Sequence, residues 1–208
     1  MLRATVANLV YRIQLLEHQA GGHLEPILST VKQWKSQITK LVSVYCFHYL
    51  KDQRKGFKNV YHLLKPGGQA VILIVTGTPF ASAVSEMQNN PKWFSFLKDI
   101  DTYTTGYNPS KFNTSFYNKI LKEIGFEILY CKREVKNDVF DSEKQYRDFF
   151  TSICVPSSHI HVDRKEEFLK EFFETLDRHN GRNKNELPLH RGRIIELVIK
   201  KPINKIRI

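Results

Sequence analysis

The sequence predicts an α/β fold with a parallel, doubly wound sheet, and three neighbouring features carry this prediction. Residues 41–47 and 70–75 are short apolar runs rich in β-branched side chains, which is typical of buried strands. Between them, Phe57, Val60 and Leu64 repeat at helical spacing. A strand, a helix and a second strand form a crossover unit, and such units build parallel sheets.

The ends of this central helix are marked by residues with defined backbone preferences. Asp52 is a candidate N-cap, because its carboxylate can accept a bond from a free backbone N–H of the first turn. The run Lys65-Pro66-Gly67-Gly68 cannot continue a helix, so the helix ends before it.

The residues before the first strand have a different character. Apolar side chains repeat at helical spacing before and after Gly21-Gly22, and Pro26 suits a first helical turn. Residues 1–35 are therefore predicted to form a helical amino-terminal segment of two helices.

The chain beyond Gly77 is interpreted as an irregular, aromatic-rich stretch to about Ser110. Asn113 or Thr114 then caps a helix that Gly125 ends. Residues 126–133 form the third predicted strand, with a turn at Asn137-Asp138.

Two more helices and a last strand complete the prediction. The helices cover residues 142–153 and 164–178, and the second opens with a capping box formed by Asp163 and Glu166. The last strand covers residues 194–199, and residues 201–208 form a basic tail.

Composition excludes several classes of protein. The longest apolar run, Ala70 to Val75, is too short to cross a membrane, and the chain opens with no secretory signal, so we expect a cytoplasmic protein without a membrane partner. The net charge is +11, but the basic residues are scattered among acids, so no nucleic-acid partner is expected. Three widely spaced cysteines predict neither a disulfide framework nor a metal site.

Two segments carry a resemblance to a known family. The block Tyr45-Cys-Phe-His-Tyr-Leu-Lys-Asp-Gln-Arg54 and the segment from Phe57 to Gly68, which ends in Leu-Leu-Lys-Pro-Gly-Gly, resemble the juvenile hormone acid O-methyltransferases. The Pro-Gly-Gly turn is common to many class I methyltransferases, whereas the first block is narrower. The resemblance extends over roughly residues 35–200.

This resemblance implies the fold in more detail. The family has a seven-stranded, Rossmann-like sheet whose last strand runs antiparallel, and the four strands predicted here correspond to its carboxyl-terminal part, strands 4 to 7. Residues 36–200 would then be a partial class I methyltransferase domain. Residues 79–110 and the helical insertion at 142–178, before the last strand, would form a cap over the acceptor.

The resemblance also implies an activity, the transfer of a methyl group from S-adenosylmethionine to the carboxylate of juvenile hormone acid, farnesoic acid or a similar lipophilic acid. A carboxylate is already deprotonated at neutral pH, so such an enzyme contributes positioning and exclusion of water, and we assign no catalytic acid or base. The expected partner is a small lipophilic carboxylic acid, and the sequence leaves the oligomeric state open.

Site residues follow from the same resemblance. Val44 and Tyr45 would contact the cofactor, because ligands bind beyond the carboxyl ends of the strands in such sheets. His48 would donate a hydrogen bond to the acceptor carboxylate, and Tyr49 stands where the family usually has tryptophan. Plain packing of the aromatic residues, and a bond from His48 to a neighbouring carbonyl, are the alternatives.

The predicted cap supplies the remaining candidates. Trp93, Phe96 and Tyr107 would touch the lipophilic chain of the acceptor, and a role in the protein core is the alternative for each.

The family's glycine-rich cofactor loop, Gly-x-Gly-x-Gly, has no counterpart among the ten glycines. The first three strands of the family's sheet are also not predicted, which would leave residues 41–47 at an open edge. Either the amino-terminal helices cover this edge or the chain is incomplete, and the sequence favours the second. Whether the chain is active is therefore left open. The competing hypotheses are a non-catalytic protein that binds a hydrophobic acid and a methyltransferase for another small acceptor.

Overall fold

Four strands form one mixed sheet in the computed structural model, which describes residues 33–50, 52–98 and 110–203. The order across the sheet is β1-β2-β4-β3, so β1 and β3 are the outer strands of the described sheet. The strands are β1 (Ile38–Val44), β2 (Leu64–Gly77), β3 (Glu127–Val139) and β4 (Leu189–Lys200). The fold is therefore α/β, as predicted, and each strand differs from its predicted bounds by several residues at one end or both.

The predicted crossover unit is confirmed. Strands β1 and β2 are parallel, with Leu41 opposite Ala70 and Val44 opposite Leu73. The connecting helix α1 (Gln53–Leu63) begins after Asp52, whose Oδ1 accepts a bond from the backbone N–H of Lys55 at 2.8 Å. The capping prediction for this helix is therefore correct.

The Pro-Gly-Gly run is not a separate turn, because β2 already begins at Leu64 and includes it. The pairing with β1 is irregular here: Ile38 lies opposite Leu64, but Lys40 lies opposite Gln69. Gly67 has a φ of +78°, a backbone conformation that favours glycine. A Cβ atom on Gly68 would lie only 2.8 Å from the carbonyl oxygens of Ile38 and Lys65.

Replacing Gly68 with alanine is expected to lower the free energy of unfolding by about 1–3 kcal/mol, because two backbone carbonyls would have to move. Chemical denaturation followed by circular dichroism measures this. The matched control is Gly192→Ala in β4, where the new Cβ would meet only Ile194 Cγ2, at 4.0 Å, and stability should change by less than about 1 kcal/mol. Equal effects of the two changes would contradict the steric explanation.

The last strand runs antiparallel to both of its neighbours. The backbones of Gly67 and Gly68 in β2 exchange hydrogen bonds with Lys201, just after β4, whereas Thr76 Oγ1, further along β2, donates to the carbonyl of Arg193. Residue numbers therefore rise along β2 as they fall along β4. On the other side, Glu127 pairs with Lys200, and Phe140 N donates to the carbonyl of Pro188. The antiparallel last strand that the family resemblance implied is present.

The chain divides into two compact units, and unit 1 comprises Met1–Ile74, Ser110–Arg133 and Ile195–Ile208. Within its described part, α1 packs against helix α4 (Thr114–Ile124), which begins after the predicted cap Asn113 and ends before Gly125. The core of this unit is apolar and includes Leu41, Phe57, Leu64, Ile72, Ile74, Leu121, Ile195, Leu197 and Ile199.

Unit 2 comprises Val75–Pro109 and Glu134–Ile194. Its described helices are α2 (Pro79–Asn89), α3 (Pro91–Leu97), α5 (Glu143–Ile153) and α6 (Val162–Asn180). Helix α2 packs along α6, and the core includes Val84, Met87, Trp93, Tyr146, Phe150, Phe168 and Phe172.

Three expectations are wrong in this part of the chain. The segment after Gly77 is not irregular, because α2 and α3 occupy most of its described part. Helix α6 begins at Val162 after His161 with no side-chain cap, so the capping box at Asp163 does not form. The expected turn at residues 137–138 lies within β3. The predicted helices of residues 1–32 and most of the basic tail lie outside the described residues.

Candidate functional site

The carboxyl end of β1 carries the block on which the family resemblance depends. The strand ends at Val44, and the backbone N–H of Tyr45 still donates to the carbonyl of Leu73, at 3.1 Å. Tyr45 has a φ of +55°, which is rare for an aromatic residue and costs on the order of 1–3 kcal/mol. Strained backbone of this kind is enriched at ligand sites.

Three of the predicted site residues are accessible at this strand end. Val44, Tyr45 and Tyr49 expose 42%, 47% and 41% of their surface, although all three are large and at least partly apolar. Tyr49 belongs to a short 3₁₀ helix, Phe47–Tyr49, that follows the strand. The end of β1 therefore offers an exposed apolar and aromatic surface.

His48 differs from these neighbours because it is only 2% exposed. Its ring lies 4.1 Å from the ring of Tyr49, and burial lowers the pKa of His48 from 6.5 to about 4. The imidazole is therefore neutral at physiological pH. It can offer a neutral N–H group to a ligand, but it cannot supply a positive charge.

A buried polar pair nearby was not predicted from the sequence. The hydroxyl of Tyr117 in α4 donates to Gln53 Oε1 at the start of α1, at 2.8 Å, and burial raises the pKa of Tyr117. Within the described ranges, the other end of this amide, Gln53 Nε2, is buried without a hydrogen-bond partner. A buried donor left unsatisfied costs about 1–3 kcal/mol, and it commonly marks a place for a water molecule or a ligand.

One signal could have identified this pair. Tyr117 lies three and four residues before Ile120 and Leu121, so it shares the buried face that the helical spacing already indicated. No local pattern marks Gln53 as its partner, because 64 residues separate the two.

The aromatic residues predicted for the cap lie in unit 2. Trp93 is fully buried in the core, where its indole N–H donates to Glu171 Oε2 at 2.7 Å, and Phe96 is half-buried beside it. Tyr107 lies outside the described residues. Contact of these aromatic residues with an acceptor stays a prediction.

Unit 2 also contains a cleft of about 940 Å³ that was not predicted. We call it the arginine cleft. It is lined by residues of β4, by α2 along its whole length, by Val135 of β3 and by the end of α6, and the polar lining residues include Arg191, Arg193, Thr78, Glu86 and His179.

Within the described part of the chain, the arginine cleft has more positive than negative side chains without a partner. The one acidic lining residue, Glu86, lies 2.9 Å from His179 Nε2 and accepts a hydrogen bond from Arg178 at 2.7 Å, and these contacts lower the pKa of its carboxyl group. Arg191 and Arg193 are exposed, and neither has an ion-pair partner among the described residues. The cleft therefore carries two guanidinium groups that no acid compensates there.

The three cysteines are poor candidates for a nucleophile. Burial raises the pKa of Cys46 and of Cys131, and it raises the pKa of Cys154 to about 11. A thiolate is the reactive form of cysteine, so these side chains are unreactive thiols at neutral pH.

The sequence of the chain is similar to those of two curated proteins. It is 25% identical to juvenile hormone acid O-methyltransferase of Drosophila melanogaster over 139 residues, which is 65% of this chain and 46% of that protein. It is 22% identical to the protein of the same name from Bombyx mori over 142 residues, which is 68% of this chain and 50% of that protein. No family model matches the sequence.

Solved structures with a similar backbone arrangement include proteins named as methyltransferases. A candidate methyltransferase of Bacillus halodurans has a TM-score of 0.46 at 16% identity, covering 81% of this chain and 71% of that one. Phosphoethanolamine N-methyltransferase 2 of Haemonchus contortus, solved with S-adenosylhomocysteine, has a TM-score of 0.37 at 16% identity, covering 81% of this chain and 34% of that one.

None of the helices in the described part of the chain has the length and apolar character needed to cross a membrane. By sequence the chain is similar to the juvenile hormone acid O-methyltransferases, and it spans about half the length of the curated relatives it matches.

Proposed function

We propose that this chain takes part in the transfer of a methyl group from S-adenosylmethionine to the carboxylate of a lipophilic acid of the juvenile hormone acid or farnesoic acid type. The observation that carries the proposal is the sequence similarity to two insect proteins named for this reaction. The strained residue Tyr45, at the end of β1 in the block that resembles this family, supports a ligand site there.

Only part of a cofactor site can be assigned to this chain. The exposed surfaces of Val44 and Tyr45 fit one side of a bound S-adenosylmethionine, which supplies a methyl group on a positively charged sulfonium. The sequence contains no Gly-x-Gly-x-Gly loop, so Val44 and Tyr45 would supply the cofactor contacts at the end of β1 and no others.

The acceptor needs orientation more than acid-base chemistry. A carboxylate is ionised at neutral pH, so no residue has to remove a proton. In the proposal, the exposed ring of Tyr49 contacts the acceptor, and the neutral imidazole of His48 offers a hydrogen bond to its carboxylate. Holding the reacting groups in line and excluding water are the contributions of these side chains.

The test is saturable methyl transfer by the 208-residue chain with labelled S-adenosylmethionine and either farnesoic acid or juvenile hormone acid. We expect the methyl ester to form, and Tyr49→Ala to lower kcat/KM about tenfold, because the acceptor loses an aromatic contact. The matched control is Tyr130→Ala on β3, which removes a tyrosine of similar exposure, 40%, far along the chain from the proposed site. Its kcat/KM should stay unchanged.

Calorimetric titration with S-adenosylmethionine and with its demethylated product separates the possible outcomes. An absence of heat with both would exclude methyl transfer by this chain alone. Saturable binding of the acid without ester formation would favour a non-catalytic relative that binds a hydrophobic acid. Methylation of other small acids or amines, with neither sesquiterpenoid acid accepted, would favour a different acceptor class.

A further inference from the structure

The arginine cleft has the side chains of an anion-binding site. Arg191 and Arg193 are two residues apart in β4, so their side chains leave the same face of the strand, with Cα atoms about 6.5–7 Å apart. Guanidinium groups bind carboxylates and phosphates through paired N–H donors. Two adjacent guanidinium groups on one face can therefore converge on a single oxyanion.

The neighbouring acid does not neutralise these arginines. Glu86 is the acidic residue in the lining, and its two oxygens are bonded to Arg178 and His179, both on α6. A surface arginine next to a free carboxylate would already have its partner, but here one carboxylate oxygen is bonded to the guanidinium of Arg178 and the other to the ring of His179. The positive charge of Arg191 and Arg193 remains available to a ligand within the described residues.

The start of α2 adds positive electrostatic potential to the arginine cleft. Thr78 caps this helix, with its Oγ1 accepting a bond from the backbone N–H of Ala81 at 3.0 Å, and Pro79 occupies the first turn. A helix carries partial positive charge at its amino terminus, and Thr78, Pro79 and Ala81 all line the cleft. This contribution is secondary to that of the two arginines.

The rest of the lining is not purely polar. Pro79, Ala81 and Val135 present apolar surface, and Val135 is 56% exposed although it is β-branched and apolar. A volume of about 940 Å³ is far larger than an inorganic anion requires, and it is in the range of small-molecule sites. The lining therefore suits an organic molecule with an anionic head and an apolar body.

We propose that the arginine cleft binds the oxyanion group, carboxylate or phosphate, of an amphiphilic small molecule through Arg191 and Arg193. This binding requires neither a cofactor nor methyl transfer, so it does not depend on the proposed function. It also involves β4, α2 and α6, whereas the proposed methyl-transfer residues lie at the end of β1.

Calorimetry on the full chain with four probes tests the proposal: dodecanoate, dodecyl phosphate, methyl dodecanoate and inorganic phosphate, each below its aggregation concentration. We expect saturable binding of at least one amphiphilic anion, and binding of the neutral ester at least about tenfold weaker, because the ester cannot form a charged pair with arginine. A preference between the two anions identifies carboxylate or phosphate as the natural head group, and inorganic phosphate should bind more weakly than dodecyl phosphate because it lacks the apolar body. Equal binding of the ester and the anions, or no binding of either anion, would overturn the proposal.

Single variants locate the site. Arg191→Gln and Arg193→Gln should each weaken binding of the preferred anion about tenfold, because each removes a charged hydrogen-bonding partner. The matched control is Arg133→Gln in β3, an exposed arginine outside the cleft, which removes the same charge and should leave the affinity unchanged. Circular dichroism checks that each variant is folded. An equal loss in Arg133→Gln would show a non-specific charge effect and overturn the assignment, and the probe series on the unaltered chain decides the proposal even if a cleft variant does not fold.

Discussion

Trp93→Ala is expected to lower the free energy of unfolding by about 3–5 kcal/mol, because Trp93 is the largest side chain that is fully buried. Its ring packs edge-to-face with the ring of Phe168, with centroids 5.1 Å apart, and the guanidinium of Arg164 lies 4.6 Å from the centre of the Trp93 ring. Truncation would leave a large cavity and would also remove the N–H donor from Glu171. Urea denaturation followed by far-ultraviolet circular dichroism measures the change.

The neighbouring residue provides the control for this prediction. Phe94 is also an aromatic residue of α3, but it is 53% exposed, so Phe94→Ala should change stability by less than about 0.5 kcal/mol. Trp93→Phe should fall between the two, since it keeps a ring and loses the N–H group. A similar, small effect of Trp93→Ala and Phe94→Ala would contradict the structural role and would favour direct contact of Trp93 with a ligand.

The part of the fold that the sequence predicts well is the part whose signals are local. Strand β1, helix α1 and strand β2 are marked by apolar runs, by the N-cap Asp52 and by two glycines within about 40 residues. Each signal acts on its own turn or strand, so no knowledge of distant contacts is needed. The family resemblance then supplied the antiparallel direction of β4, which no local pattern contains.

Helices α2 and α3 show how a local signal can be missed. Each begins with a capping residue followed by proline: Thr78-Pro79 for α2 and Asn90-Pro91 for α3. Both pairs are helix-start signals, and the interpretation of this segment as irregular leaves them out. The aromatic residue Trp93 instead lies in the core of unit 2.

The arginine cleft could not have been predicted from local sequence patterns. Thr78, His179 and Arg193 line it together, although about 100 residues separate the first from the second. Basic residues are common throughout the chain, so nothing in the sequence distinguishes Arg191 and Arg193 from paired arginines such as Arg182, which bonds to Glu143. Only the spatial arrangement shows which guanidinium groups have an acid beside them.

Stability is expected to fall as the pH is lowered from 6.5 towards 4, and His190 is one cause. Burial lowers the pKa of His190 to about 4, and its Nδ1 lies 3.1 Å from Asn180 Oδ1, while the ring of Phe150 lies 4.9 Å away. The nearby charge of Asp138 acts in the opposite direction. Below pH 6.5 the unfolded chain binds a proton at this histidine and the folded chain does not, so protonation favours unfolding. This loss of unfolding free energy is complete near pH 4, and it amounts to about 3 kcal/mol for a pKa lowered from 6.5 to about 4.

His190→Gln separates this effect from other acid-sensitive groups when the free energy of unfolding is measured by denaturation at several pH values. The variant should lose about half of the slope between pH 6.5 and about 5.5, because the buried His48, whose pKa burial also lowers to about 4, would supply the other half. The ion-paired carboxyl groups of Glu86 and Glu171 have a lowered pKa, so their effect on stability sets in only as the pH approaches the ordinary value of 4.5, where the unfolded chain takes up protons, below this window. His62→Gln is the control, since His62 is exposed to solvent in α1 and its replacement should leave the slope unchanged. A slope that survives both His190→Gln and His48→Gln would show that the acid sensitivity does not come from buried neutral histidines.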